Sequence, residues 1–186
     1  MDTDLVIRAQ HGDQQAFADL VTTFAVQLRK AAYGVLRDMD LAEDAAQQAV
    51  VAIWRDLPRL RDPHRFGAWS YRILLRTCYA QRRWSRTKAS VPLYSWIAEP
   101  VARDALPDVL LRDQLERGFA RLSIEHRAVI VLYHQLGLSL AEISEALAIP
   151  VGTVKSRLHR AIASLRASMA PTVISFPVHH LKDGPA

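Results

Sequence analysis

The chain of 186 residues is half hydrophobic and carries a net charge of +5, which excludes a disordered polymer and favours an anionic partner, nucleic acid ahead of an anionic membrane surface. Its single cysteine, Cys78, excludes an internal disulfide framework and points to a reducing compartment. The acidic start Met-Asp-Thr-Asp is unlike a secretory leader, and no apolar run approaches the roughly 20 residues that cross a bilayer, so the expected location is cytoplasmic, without membrane insertion.

Apolar residues recur at spacings of three and four and nowhere alternate at period two for long, which predicts an all-α protein. After a short first helix, Gly12 breaks the chain and Asp13 is placed to cap a helix running to about Leu36, with Phe17, Leu20, Val21, Phe24 and Leu28 on one face. "DLAE" at 40–43 predicts a capping box, Asp40 as N-cap and Glu43 three residues on, for a helix ending near Pro58. Asp62 and Pro63 restart the pattern, and a long helix follows through Trp69, Ile73 and Leu74 towards Arg83. From about Thr87 to Pro107 the sequence has three prolines and no sustained face, the composition of a linker. Helices resume near Val109. Ser123 caps the next, which carries Val129, Ile130 and Leu132; Gly137 breaks it; "SLAE" at 139–142 predicts a second capping box, with a helix to about Leu147. "AIP" turns the chain into a last helix over about 151–168, which Pro171 ends.

The charge is unevenly placed. Residues 1–54 have a net charge of −4, residues 55–88 hold ten bases against Asp56 and Asp62, and residues 149–168 hold four bases and no acid. Two separated basic blocks suit a long polyanion better than a small ligand. The second block belongs to two short helices joined by a tight turn, the pattern of a helix-turn-helix. On a helical wheel Val154, Leu158, Ala161, Ile162 and Leu165 face one side, towards Ile143 and Leu147. Gly152, Ser156, His159 and Arg160 face the other, flanked by Thr153, Lys155 and Arg157. That outward face is small or basic throughout, so the helix can approach DNA closely and its bases can reach phosphates or guanine edges.

"LSLAEISEALAIPVGTVKSRLHRAIASLR" (138–166) resembles region 4 of bacterial RNA polymerase sigma factors of the sigma-70 superfamily, in particular the extracytoplasmic-function (ECF) group, and "GTVKSRLHRA" is close to that group's signature. More loosely, "AEDAAQQAVVAIW" (42–54) resembles the region 2 helix that binds the polymerase clamp, and "FGAWSYRILLRTCYAQRR" (66–83) the helix that reads and opens the downstream promoter element. The resemblance implies two small helical domains: region 2 over 1–88, a linker over 89–108, region 4 over 109–170 and a C-terminal tail over 171–186. It departs from the family at Gln48, where a glutamate is usual, and at Thr77 and Gln81, where asparagine and aspartate are frequent near the promoter-contacting surface.

The resemblance also implies roles. Asp44, Gln47, Gln48, Ile53 and Trp54 would dock on the clamp of core RNA polymerase, with core packing as the alternative for Ile53 and Trp54. Arg59, Arg61, His64, Arg65, Phe66, Trp69, Arg72, Arg76 and Arg83 would hold and open the downstream element, including the melted non-template strand, although Trp69 suits the core as well. Thr153, Lys155, Ser156, Arg157, His159 and Arg160 would read the double-stranded upstream element, and the first half of region 4 would bind the polymerase flap. An anti-sigma factor is a frequent partner in the group.

Other classes fit less well. There is no Walker loop, no dinucleotide turn and no defensible nucleophile–base set, so no enzyme, catalytic residue or cofactor is expected; His179-His180 lacks further ligands at suitable spacing, so no metal is expected either. A stand-alone helix-turn-helix regulator would account for 138–166 and leave residues 40–88 without a task.

Overall fold

A computed structural model describes residues 2–88 and 106–168, all of whose regular structure is helical. The predicted linker up to residue 105 and the predicted tail lie outside the described residues.

Helix α1 (Thr3–Gln10) is capped by Asp2, and α2 (Gln14–Leu36) by Asp13, whose side chain accepts from the Ala16 N–H; Gly12 between them takes φ +91°. Leu20, Phe24 and Leu28 turn into the core as the periodicity requires. Helix α3 (Met39–Asp56) starts earlier than the sequence suggested. Asp38, not Asp40, is its N-cap and accepts from the Leu41 N–H at 3.0 Å. Arg37 leaves α2 in the left-handed region at φ 57°, which reverses the chain within two residues and leaves Asp38 extended at the cap position. Asp40 then lies in the first turn, where the helix dipole favours it. Glu43, without a capping role, faces Arg29 at 3.8 Å.

Two short 3-10 turns, Leu57–Arg59 and Pro63–Arg65, lead into α4 (Phe66–Lys88); Asp62 caps the second through the His64 N–H. Helix α5 (Leu106–Arg121) begins inside the stretch expected to be linker, with Pro107 in its first turn, where a missing N–H is harmless. Ser123 caps α6 (Ile124–Ile130), which widens into a π turn over Val131–Gln135, a feature the periodicity did not reveal. Gly137 at φ +67° ends it. Helix α7 (Leu140–Leu147) has the complete Ser139–Glu142 capping box, and α8 (Val151–Ser168) follows.

Helices α1 to α4 pack mainly on one another, as do α5 to α8. Yet one continuous apolar core runs through both groups, because α2 packs on α6 and the π turn and α4 packs on α7.

Candidate nucleic-acid and polymerase interfaces

The helix-turn-helix is built by its caps and turn. The Ser139 hydroxyl and Glu142 fix the start of α7. Ala148 then takes φ 53°, and the Ser144 hydroxyl donates to the Ile149 carbonyl at 2.5 Å, tying the turn back on α7. Pro150 supplies its carbonyl to the N–H groups of Thr153 and Val154, which opens α8. Val154, Leu158, Ala161 and Leu165 are buried, Ile162 is half-buried, and Gly152, Lys155, Ser156, His159 and Arg160 are exposed together on the opposite face. Thr153 and Arg157 are half-buried at its edges. Arg157 lies within electrostatic reach of Tyr79 on α4 and Glu125 on α6.

The second basic surface lies on α4 and the turns before it. Arg72, Arg76 and Arg83 are exposed, and at about 100° per residue they fall within one narrow stripe. The preceding loop is pinned from behind: the Gln10 amide donates to the carbonyls of Leu57 and Leu60, at 3.2 and 2.7 Å. This leaves Arg59, Arg61, His64 and Arg65 exposed around a fixed backbone. His64 contacts the Thr3 hydroxyl at 3.3 Å. Arg65 pairs with Asp62 and, at 2.7 Å, with Glu145 of α7.

Several expected site residues are elsewhere. Phe66 is only 3% exposed and packs its ring on Phe24 at 5.6 Å, so it cannot stack on a base; it anchors the start of α4. Trp69 is half-buried against Phe66 at 6.0 Å, leaving one edge beside the arginine stripe. Thr77 and Gln81 face inward instead of lying on the outer surface. The Thr77 hydroxyl lies within bonding distance of the Ala45 and Leu74 carbonyls, stitching α4 to α3, and Gln81 is buried.

On α3, Asp44, Gln47 and Gln48 are exposed and Trp54 is 42% exposed, its ring on Phe17 at 4.5 Å. Ile53 is corrected: at 3% exposure it belongs to the core, continuing the buried face of Ala42, Ala45, Ala46 and Ala49. Val51, which the sequence reading passed over, is 67% exposed on the Gln47–Gln48–Trp54 side, and Met39 is exposed at the start of the same helix. The run of alanines was the available signal. Small residues at helical spacing mark the face against a neighbour, and Val51 falls opposite it.

Arg127 on α6 was also missed. It is only 5% exposed, and its Nε has no hydrogen-bond partner. Burial pushes its pKa down, and the positive charges of Arg82 and Arg37 push it further. Cys78 is fully buried, with burial raising its pKa to about 12, which makes it a core residue and a poor nucleophile. Among the described residues no helix is long and apolar enough to cross a membrane.

An all-helical scaffold with a basic helix-turn-helix and a second arginine-rich helical surface defines a DNA-binding transcription protein. The chain belongs to the sigma-70 family, and within it to the ECF group: residues 20–87 match Sigma-70 region 2 and residues 112–165 match Sigma-70 region 4. It is 30% identical to the ECF RNA polymerase sigma factor SigW of Bacillus subtilis over 87% of this chain and 93% of that one. It is 31% identical to the RNA polymerase sigma-H factor of Pseudomonas aeruginosa over 91% and 94% of the two chains. Among solved structures it is similar to CnrH, in complex with the cytosolic domain of CnrY, at 29% identity and a TM-score of 0.67, covering 89% of this chain and 95% of that one. The fold is shared with the sigma factor RpoE of Bartonella quintana at 22% identity and a TM-score of 0.70, over 84% and 98%.

Proposed function

We propose that this protein is an ECF sigma factor that joins core RNA polymerase in the cytoplasm and directs it to promoters carrying two elements. It supplies recognition and strand opening and leaves bond chemistry to the polymerase. The observation that carries this reading is the pairing, in one chain, of an acid-free exposed face on α8 with the Arg72, Arg76 and Arg83 stripe on α4. The α8 face suits an intact duplex, because a helix fits the major groove and its bases meet phosphates and base edges. The α4 stripe and the Arg59, Arg61, His64 and Arg65 loop suit a displaced strand, whose phosphates need closely spaced cations and whose bases need an aromatic edge such as Trp69.

The exposed side of α3, with Asp44, Gln47, Gln48, Val51 and Trp54, is the proposed contact with the clamp, and the beginning of region 4 the contact with the flap. A stand-alone regulator would leave this half-apolar face without a use. The partner set extends to an anti-sigma factor, and CnrH, which this chain resembles, is itself held in a complex, with the cytosolic domain of CnrY.

Run-off transcription with purified core polymerase on genomic fragments tests the proposal. Discrete start sites that depend on the added chain are expected. Failure of the chain to associate with core, or start sites identical with and without it, would overturn it.

A further inference from the structure

Arg127 is buried among charges of its own sign. It is 5% exposed, and its Nε meets no acceptor among the described residues. Arg82 of α4 and then Arg37 repel its charge, and Glu125 attracts it more weakly than either repels it. Arg37 is itself paired with Glu116. A buried guanidinium in such surroundings is costly unless an anion or an acceptor reaches it.

A cleft lies beside it. Tyr79, Arg82, Arg83 and Thr87 of α4 face Ile124 and Glu125 of α6 across a volume of about 430 Å³, within the about 300–1,000 Å³ of small-molecule sites. Arg127 follows Ile124 by one turn on the same side of α6, and it lies near Arg82 of the opposite wall. Arg82 and Arg83 are exposed and form no ion pair among the described residues. Arg157 is within electrostatic reach of Tyr79 and Glu125. Arg82, Arg83, Arg127 and Arg157 thus gather about one acid of the cleft, Glu125.

The layout of these groups selects a ligand. Consecutive positions on a helix point about 100° apart, so Arg82 and Arg83 do not converge as one clamp on a lone phosphate and suit a chain of two or three. Tyr79 and Ile124 are half-buried and offer an apolar wall on which a planar base packs. Glu125 would repel a continuous phosphodiester strand, yet it accepts hydrogen bonds from the hydroxyls of a ribose. We propose that the cleft between α4 and α6 binds a nucleoside di- or triphosphate, with its phosphates on Arg82 and Arg83 towards Arg127, its base on Tyr79 and Ile124, and its ribose at Glu125. Arg83 also ends the α4 stripe, but the site shares no residue with the outward face of α8 and does not depend on the promoter reading.

Isothermal titration of the full chain with GTP, ATP, guanosine and inorganic tripolyphosphate tests the site. Saturable one-to-one binding of at least one nucleotide is expected, with guanosine and tripolyphosphate each at least about tenfold weaker, because base and phosphates are held by different walls. Arg82→Gln, at an exposed position, should weaken nucleotide binding at least about fivefold, whereas Arg160→Gln on α8 should leave it unchanged. Tyr79→Leu should weaken the nucleotide by a similar factor and leave tripolyphosphate binding as it was; if that variant does not fold, as a thermal melt shows, Arg82→Gln decides alone. The proposal is overturned if no nucleotide binds saturably or if tripolyphosphate binds as tightly as the nucleotides. It is equally overturned if Arg82→Gln loses no more affinity than Arg160→Gln, which marks the attraction of any polyanion to a basic surface.

Discussion

Arg160 stands exposed on the outward face of α8, in a stretch of twenty residues without an acid. Its guanidinium is available to either a phosphate or a guanine edge, and the two uses have different consequences. Arg160→Ala is expected to weaken binding to the upstream duplex by roughly tenfold, within the about 1–3 kcal/mol of one good contact. A panel of mutated duplexes tells which contact was lost: a uniform loss with a salt slope shallower by about one means a phosphate, and a loss confined to one position means a base. Val51 and Ile53 make a second pair of residues with opposite outcomes. Ile53→Ala empties a core position and should cost about 2–5 kcal/mol in denaturant unfolding. Val51→Ala should leave stability within about 0.5 kcal/mol and weaken core-polymerase binding in a pull-down titration. If the two variants behave alike, the assignment of the α3 faces is wrong. Residue type alone did not separate these neighbours. Both are β-branched and apolar, and only the position of α2 and α4 around α3 says which one is covered.

At the scale of elements, local chemistry carried far. Asp13, Ser123 and Ser139 cap the helices their sequence spacing assigns to them, because a cap involves only a side chain and an N–H two or three residues on. Ser139→Ala should therefore lower stability by about 1 kcal/mol. Ala148→Gly, which relieves a left-handed alanine in the turn of the helix-turn-helix, should raise it by about 1 kcal/mol. Thermal melts of the two variants check both signs. The start of α3 was misplaced by two residues because two aspartates, Asp38 and Asp40, compete for the cap there, and the left-handed Arg37 decides between them. That conformation is held by Arg37 stacking on Tyr33 and pairing with Glu116, far along the chain. The π turn at Val131–Gln135 has the same origin: it lies against α2, and nothing within α6 announces it.

At the scale of the whole molecule, one core threads both halves, and its buried acids set the alkaline limit of stability. Burial raises Cys78, Tyr71 and Tyr79 to about 12, from ordinary values of 9.0 for the thiol and 10.0 for the phenols. Groups raised on folding stabilise fully below their ordinary values and lose that contribution as pH climbs towards the folded ones. The melting temperature should thus be insensitive to these groups up to about pH 9 and decline between about 9 and 12. Cys78→Ala should remove the earliest part of the decline. A melting temperature constant to pH 12 would contradict the burial of Cys78 and Tyr71 and the partial burial of Tyr79.

The amino-acid sequence by itself determined that the chain is helical, where most helices begin and end, that α8 shows a basic face and that the family is sigma-70. Each of these depends on periodicity, caps, charge or a contiguous motif, all of which act within a few residues. Tertiary structure alone decided that Phe66 and Ile53 are core, that Val51 is surface, that Thr77 and Gln81 look inward, and that the π turn packs on α2 at Gly34. Those outcomes depend on which distant helix lies opposite, and burial is a property of that pairing; a single helix read along its own sequence does not contain it.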